Sequence, residues 1–420
     1  MRSSLWFLPG VIVIGSCVLA LGFIEIDYRV SRELLANYPR LFGAGAEGSR
    51  GMLSSIAGSM ITVAGVTFSI TIVALSQAAN QYSSRLLRNF MRDRANQAVL
   101  GVFLGIFTYC LLVLRAIRGG DEGGFVPSLS VLGGVVMALV AIGFLIFFIH
   151  HAASSLQASN VVAAAATETV ATIDRLFPDS LNADEGEEEL DTEKEEYLAN
   201  RRQVLIPAPK TGYIQSYDRE SLVELAHSYN LTLRMHVAVG EFAVFDTPLV
   251  TAYSNGPLDE KFVENVHGAY TINALRTIEQ DVGFGIRQIV DVALKALSTG
   301  MNDTTTALTC IDYLTAINVR LASRRLTPRY IFVDNALCLI AKTHTFENFV
   351  GESFEEIRAN SRSNTVVLHR LIHALSAIAM SADNPARQFL IFRQIGYTKA
   401  LLNEAGYSDP APAKAREELG

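Results

Sequence analysis

Residues 5–26, 52–75, 98–114 and 125–149 form four apolar runs within the first 150 positions of the chain. A hydrocarbon core of roughly 30 Å takes about 20 helical residues, and about 17 is the lower limit. All four runs reach it, the third only just. Helices of this kind must satisfy every backbone N–H and C=O internally. The expected fold is therefore an α-helical polytopic membrane domain of four spans.

The second half of the chain has a different composition. From about residue 180 it reads as an ordinary α+β globular region. The expected order is a four-span domain over residues 1–178, an acidic linker over 179–200, a small β-rich module over 201–255, a helical domain over 256–410 and a tail over 411–420. The linker expectation rests on residues 184–196, which carry nine carboxylates against one Lys. Such a run is most simply a solvated segment. The net charge of −7 argues against a nucleic-acid partner.

The first run has Arg2 before it and small residues near Ala20, as a secretory signal would. It is longer than the 7–15 residues of a signal core and has no clear cleavage pattern. It is read as an uncleaved span. The four cysteines show no paired spacing, which favours a reducing compartment for the second half. Arginines flank the spans on both sides in near balance, so counting alone does not orient the protein. Pattern does more. Over residues 77–97, Tyr82, Leu86, Leu87, Phe90 and Met91 share one helical face, while Arg85, Arg88 and Arg92 share another. A basic amphipathic helix suits an interface with anionic lipids. The expectation is a multi-pass protein of the inner (plasma) membrane, with both termini and the C-terminal region in the cytoplasm.

The second span is unusually polar. Ser55, Thr62, Ser69 and Ser76 recur every seven residues, with Ser59 beside them. Hydroxyls along one stripe can replace part of an ion's hydration shell, so Ser55, Ser59, Thr62 and Ser69 are candidates for lining a path. The competing reading is close helix packing, with the hydroxyls bonded to their own backbone. Small-residue spacings occur at Gly101 and Gly105, Gly134 and Ala138, Ser54 and Gly58, and Gly58 and Thr62. They serve contacts within one chain or between chains. No charged residue lies deep within an apolar run, which counts against a proton-driven pump.

In the second half, residues 204–217 and 231–253 have strand composition, and Asp218 caps a short helix over 219–228. The stretch 239–249, VGEFAVFDTPL, looks like the hairpin of barrel-sandwich modules of the biotinyl or lipoyl type. No Lys stands at the tip, so no attached cofactor is expected. Residues 283–298 are amphipathic, and Asp303 caps the next helix, through about residue 321. Further helices are expected over 364–380 and 386–405. Asp281, Arg287, Gln288, Asp291, Ser298, Asn302 and Asp303 form the densest polar group. They make either a ligand site or ordinary caps and i,i+4 pairs. Gly283-Phe-Gly285 is too short a glycine pattern for a dinucleotide site, and His369 and His373 have helical spacing but no third ligand. No metal site and no cofactor is expected. With no nucleophile elbow, phosphate loop or kinase signature, the protein is not expected to be an enzyme.

Four segments carry a resemblance: VAGVTFSIT at 63–71, SSRLLRNF at 83–90, GFGIRQ at 283–288 and ALSTGMNDTT at 296–305. Together with the order of features, they resemble a bacterial family of predicted membrane proteins, domain of unknown function number 2254. The family pattern often has Pro where Thr299 and Thr304 stand here. The resemblance covers nearly the whole chain and implies architecture rather than activity. The sequence thus supports a homo-oligomeric channel or transport-related protein, in contact with anionic lipids and responsive to an ion or small molecule. The alternative is a membrane-anchored sensor or scaffold.

Overall fold

The computed structural model describes residues 6–37, 45–81, 94–118, 125–155, 157–178, 198, 200–382 and 384–404. The chain divides into two compact units, residues 1–161 and 162–420.

The first unit contains four long helices: α1 (Phe7–Asn37), α2 (Ala46–Gln81), α3 (Arg94–Ala116) and α4 (Ser128–Ser155). Each is long and apolar enough to cross a bilayer. The helices outrun the apolar segments because backbone hydrogen bonding continues past the first charged side chain. α3 is the central helix and packs against each of the other three. Half of its apolar window is buried, against 11–17% for its neighbours. Phe103, Ile106, Tyr109, Cys110 and Val113 fill the centre.

Glycine permits this proximity. A Cβ on Gly101 would meet Pro9 Cα at 2.9 Å, and one on Gly105 would meet Ser16 Oγ at 2.5 Å. The spacing at 101 and 105 therefore serves contacts within the chain, between α3 and α1. Gly134 of α4 similarly abuts Leu53 of α2, at 2.9 Å.

The second unit contains two sheets. Strands β1 (Arg202–Pro207), β2 (Gly212–Tyr217), β3 (Thr232–Met235), β4 (Phe242–Ala243) and β5 (Pro248–Ser254) come from the expected module. Three more come from beyond it: β6 (Tyr270–Asn273), β7 (Tyr330–Val333) and β8 (Ala336–Ile340). The five-stranded sheet has the order β1-β5-β3-β8-β7, and the three-stranded sheet the order β4-β2-β6. All pairs are antiparallel except β3 with β8. β4 and β5 belong to different sheets, so the stretch at 239–249 is not a biotinyl-type hairpin.

Helices α5 (Ala158–Leu176), α6 (Arg219–Ser228), α7 (Glu260–Gly268), α8 (Val282–Ala296), α9 (Thr304–Ala322), α10 (Phe346–Ala359), α11 (Thr365–Ser381) and α12 (Pro385–Glu404) complete the described elements. Leu222 and Ala226 of α6, and Phe262 and Val266 of α7, share one core with Leu233, Leu249, Val250 and Leu339 of the sheet. α8 packs on α9 and α10, and α11 packs on α9 and α12.

Two boundaries differ from the sequence reading. The compact division falls at residue 161 rather than 178, because α5 is tied to the second unit through Asp174, paired with Arg320 and Arg324, and Thr169, which lies against Gly285. The β-rich region is not confined to 201–255, because β8 adds to β3 across about 100 residues of chain. Parallel pairing needs such a crossover, and sequence windows do not register it.

Candidate functional site

In the first unit, α2 has two opposite faces. Leu53, Ala57, Met60, Ala64 and Thr67 are buried in the bundle. Gly51, Ser55, Gly58, Thr62, Gly65 and Ser69 are exposed. At about 100° per residue, the second set points some 160° away from the first. It alternates steps of four and three, the spacing of a helix-contact seam. No described atom lies within 4 Å of a Cβ built on Gly51, Gly58 or Gly65. The spacing at Gly58 is therefore unused among the described residues, in contrast to that at Gly101 and Gly105.

Several hydroxyls on α2 bond back to their own helix. Ser59 donates to the Ser55 carbonyl, Thr62 to Gly58 and Thr71 to Thr67, each at 2.8 Å. The Ser59 and Thr62 oxygens remain on the outer surface, whereas Thr71 is half-buried on the bundle-facing side. The structure thus places Ser55, Ser59, Thr62 and Ser69 together on the exposed side of α2, outside the four-helix bundle. Arg85, Arg88 and Arg92, and the linker carboxylates, lie outside the described residues.

The polar group of the second unit does not form one site. Asp281 caps the N-terminus of α8, accepting from Phe284 N at 2.8 Å. Asn302 and Asp303 lie beyond its C-terminus, and Asp303 caps α9 through Thr306. The 15 residues of α8 separate the two ends by roughly 22 Å. Arg287 lies between them, paired with Asp291 at 2.7 Å and with Glu356 of α10. Gln288 is buried, and its side-chain oxygen has no hydrogen-bond partner among the described residues. Ser298 donates to the Lys295 carbonyl at 2.6 Å, in the C-terminal turn.

Asp281 has partners that sequence reasoning missed. Arg276 binds both of its oxygens, at 2.8 and 3.0 Å. Arg276 also lies over the Phe284 ring, 5.2 Å from the centroid. Gly240, at φ +86°, passes so close that a Cβ there would sit 2.4 Å from Asp281 Oδ2. Gly283 makes room for Glu352, whose oxygen would be 2.8 Å from a Cβ. Desolvation raises the Glu352 carboxyl above its ordinary value, opposed by His344 and Arg276. Gly285 makes room for Thr169 of α5. The glycines of GFGIRQ thus serve packing around a capped, ion-paired helix start. Their one legible signal was the motif itself.

No group of three or more metal-ligating side chains occurs among the described residues. His369 bonds the Thr365 carbonyl of its own helix.

The model of the family described as "Predicted membrane protein (DUF2254)" matches residues 2–377. An uncharacterized protein of Mycobacterium bovis is 32% identical over 358 residues, covering 83% of this chain and 67% of the relative. An uncharacterized protein of Mycobacterium tuberculosis matches with the same identity and coverage. No solved structure matches. With four apolar helices of spanning length and a family match over most of its length, the chain is a membrane protein and belongs to the DUF2254 family.

Proposed function

We propose that the protein is a homo-oligomeric channel or transport-related protein in which α2 of each copy faces the others along a common path. The carrying observation is the unfilled outer stripe of α2. Gly51, Gly58 and Gly65 alternate there with Ser55, Thr62 and Ser69, opposite the bundle-facing side. A helix face turned permanently to lipid gains nothing from glycines and hydroxyls. A face turned to other copies gains close backbone approach and oxygen donors. Because the stripe lies outside the bundle, the path forms between copies rather than within one. In this reading the protein is not an enzyme, its second unit is cytoplasmic, and anionic lipids of the inner membrane surround the spans.

Single-channel recording of purified protein in planar bilayers tests this, with Thr62→Leu and Ser69→Leu as comparisons. Discrete currents altered by either substitution are expected. Unchanged conductance in both variants would overturn the reading.

A further inference from the structure

The second unit contains a cavity of about 560 Å³, a size suited to a small organic molecule. Its walls come from the end of α5, the β2–α6 junction, the start of α8 and the segment between β8 and α10. Leu176, Phe177, Val239, Val282 and Phe349 supply apolar surface. Tyr217 adds a ring stacked on Tyr270, with centroids 6.2 Å apart.

Three helices begin at this cavity. Asp218 caps α6 and Asp281 caps α8, and both line the wall. His344 also lines it and precedes Thr345, the cap of α10. Each helix start carries the positive end of its dipole. Two of the lining carboxylates are already engaged: Asp218 by Ser221, through N–H and hydroxyl, and Asp281 by Arg276 and Phe284. Lys342 is likewise matched by Glu241, at 2.7 Å.

Two lining guanidinium groups are not matched in this way. Among the described residues, Arg175 donates only to neutral oxygens, the Glu279 carbonyl and the Thr172 hydroxyl. Arg219 makes no hydrogen bond or ion pair to another described side chain. Glu220, exposed in the first turn of α6, is the one lining carboxylate without a partner of this kind.

We infer that this cavity binds a small organic anion, a phosphate or carboxylate attached to an apolar or aromatic body. Arg175 and Arg219 hold the anionic end, and the ring of Tyr217 with Phe177 and Phe349 covers the body. The inference is independent of whether the spans conduct. A phosphate could be supplied by a free metabolite or by a lipid headgroup, and the two sources call for separate probes.

The test is isothermal titration of the full-length protein in detergent with adenosine monophosphate, benzoate and a short-chain phosphatidic acid. Uncharged adenosine is the control. Saturable binding of at least one anion is expected, with adenosine at least tenfold weaker than its monophosphate. Arg219→Ala, a surface change that leaves the core untouched, should weaken binding about tenfold, and Arg175→Gln should do the same. Binding of phosphatidic acid alone assigns the site to a headgroup, and binding of the soluble anions assigns it to a metabolite. Absence of saturable binding to all three anions would overturn the inference. So would equal affinity in wild type and both variants.

Discussion

The carboxylate of Asp27 accepts a hydrogen bond from the Ser130 hydroxyl at 2.6 Å, joining α1 to the start of α4. The same carboxylate accepts from Leu129 N at 2.9 Å and Ser130 N at 2.8 Å. Asp27 is completely buried, and Tyr109 of α3 donates to the Ser130 carbonyl on the other side of the same residue. One carboxylate thus satisfies two of the free N–H groups that begin α4. Replacing Asp27 with Ala removes the acceptor and leaves those donors buried. The expected loss is about 3 kcal/mol. Asn, with one acceptor oxygen, should lose less. Unfolding of the detergent-solubilised protein by a denaturing surfactant measures both. Equal stability of Asp27→Ala and wild type would refute the role.

The glycines of α2 and α3 should behave differently. Gly105→Leu forces a side chain into Ser16 and should destabilise the four-helix unit by about 1–3 kcal/mol. Gly58→Leu meets open space and should leave that stability unchanged or slightly raised. It should instead lower the oligomer mass measured by light scattering in mild detergent. An unaltered oligomer in Gly58→Leu would remove the outer stripe of α2 as a subunit contact.

Gly240 and Gly285 are sensitive positions of the second unit. An Ala at 240 would have to adopt positive φ and would strike Asp281. An Ala at 285 would strike Thr169, which is fully buried. Each change should cost about 1–3 kcal/mol. Gly300, with open space around it, is the matched control and should tolerate Ala. Thermal melts of the three variants decide the point, and an unshifted Gly240→Ala would argue against the close approach to Asp281.

Acid should weaken the second unit through three carboxylates. Asp174 is held below its ordinary value by the Arg320 hydrogen bond, with Arg324 adding to it. The Ser221 backbone N–H does the same for Asp218, and the Thr306 hydroxyl for Asp303. A depressed folded pKa contributes stability that is present above the unfolded value of about 3.9 and lost as pH falls through the folded value. Melting temperature should therefore decline as pH falls below about 4. Asp174→Asn should be less stable near neutrality and should show a shallower decline. A decline of the same steepness in that variant would exclude Asp174 as a contributor.

The four spans, their order, and the starts of α6 and α9 are legible in the amino-acid sequence alone. These features are local. Apolar length identifies a span, and Asp218 and Asp303 announce their caps within three residues of the N–H groups they accept. The boundaries of α11 and α12 were legible for the same reason, as was most of the apolar face of α8, although Gln288, read on its polar face, is buried. What each small residue is for emerged only from three-dimensional packing, which settled several other points. Gly58 and Gly105 have the same local signal, yet one faces open space and the other lies against Ser16. It also decided that Arg276, not a helix neighbour, neutralises Asp281, and that β8 completes a sheet begun about 100 residues earlier. Asp27 stands one residue beyond the first apolar run, and its role depends on Ser130, 103 residues away. Such pairings are set by three-dimensional packing and charge compensation, whose partners have no fixed spacing along the chain.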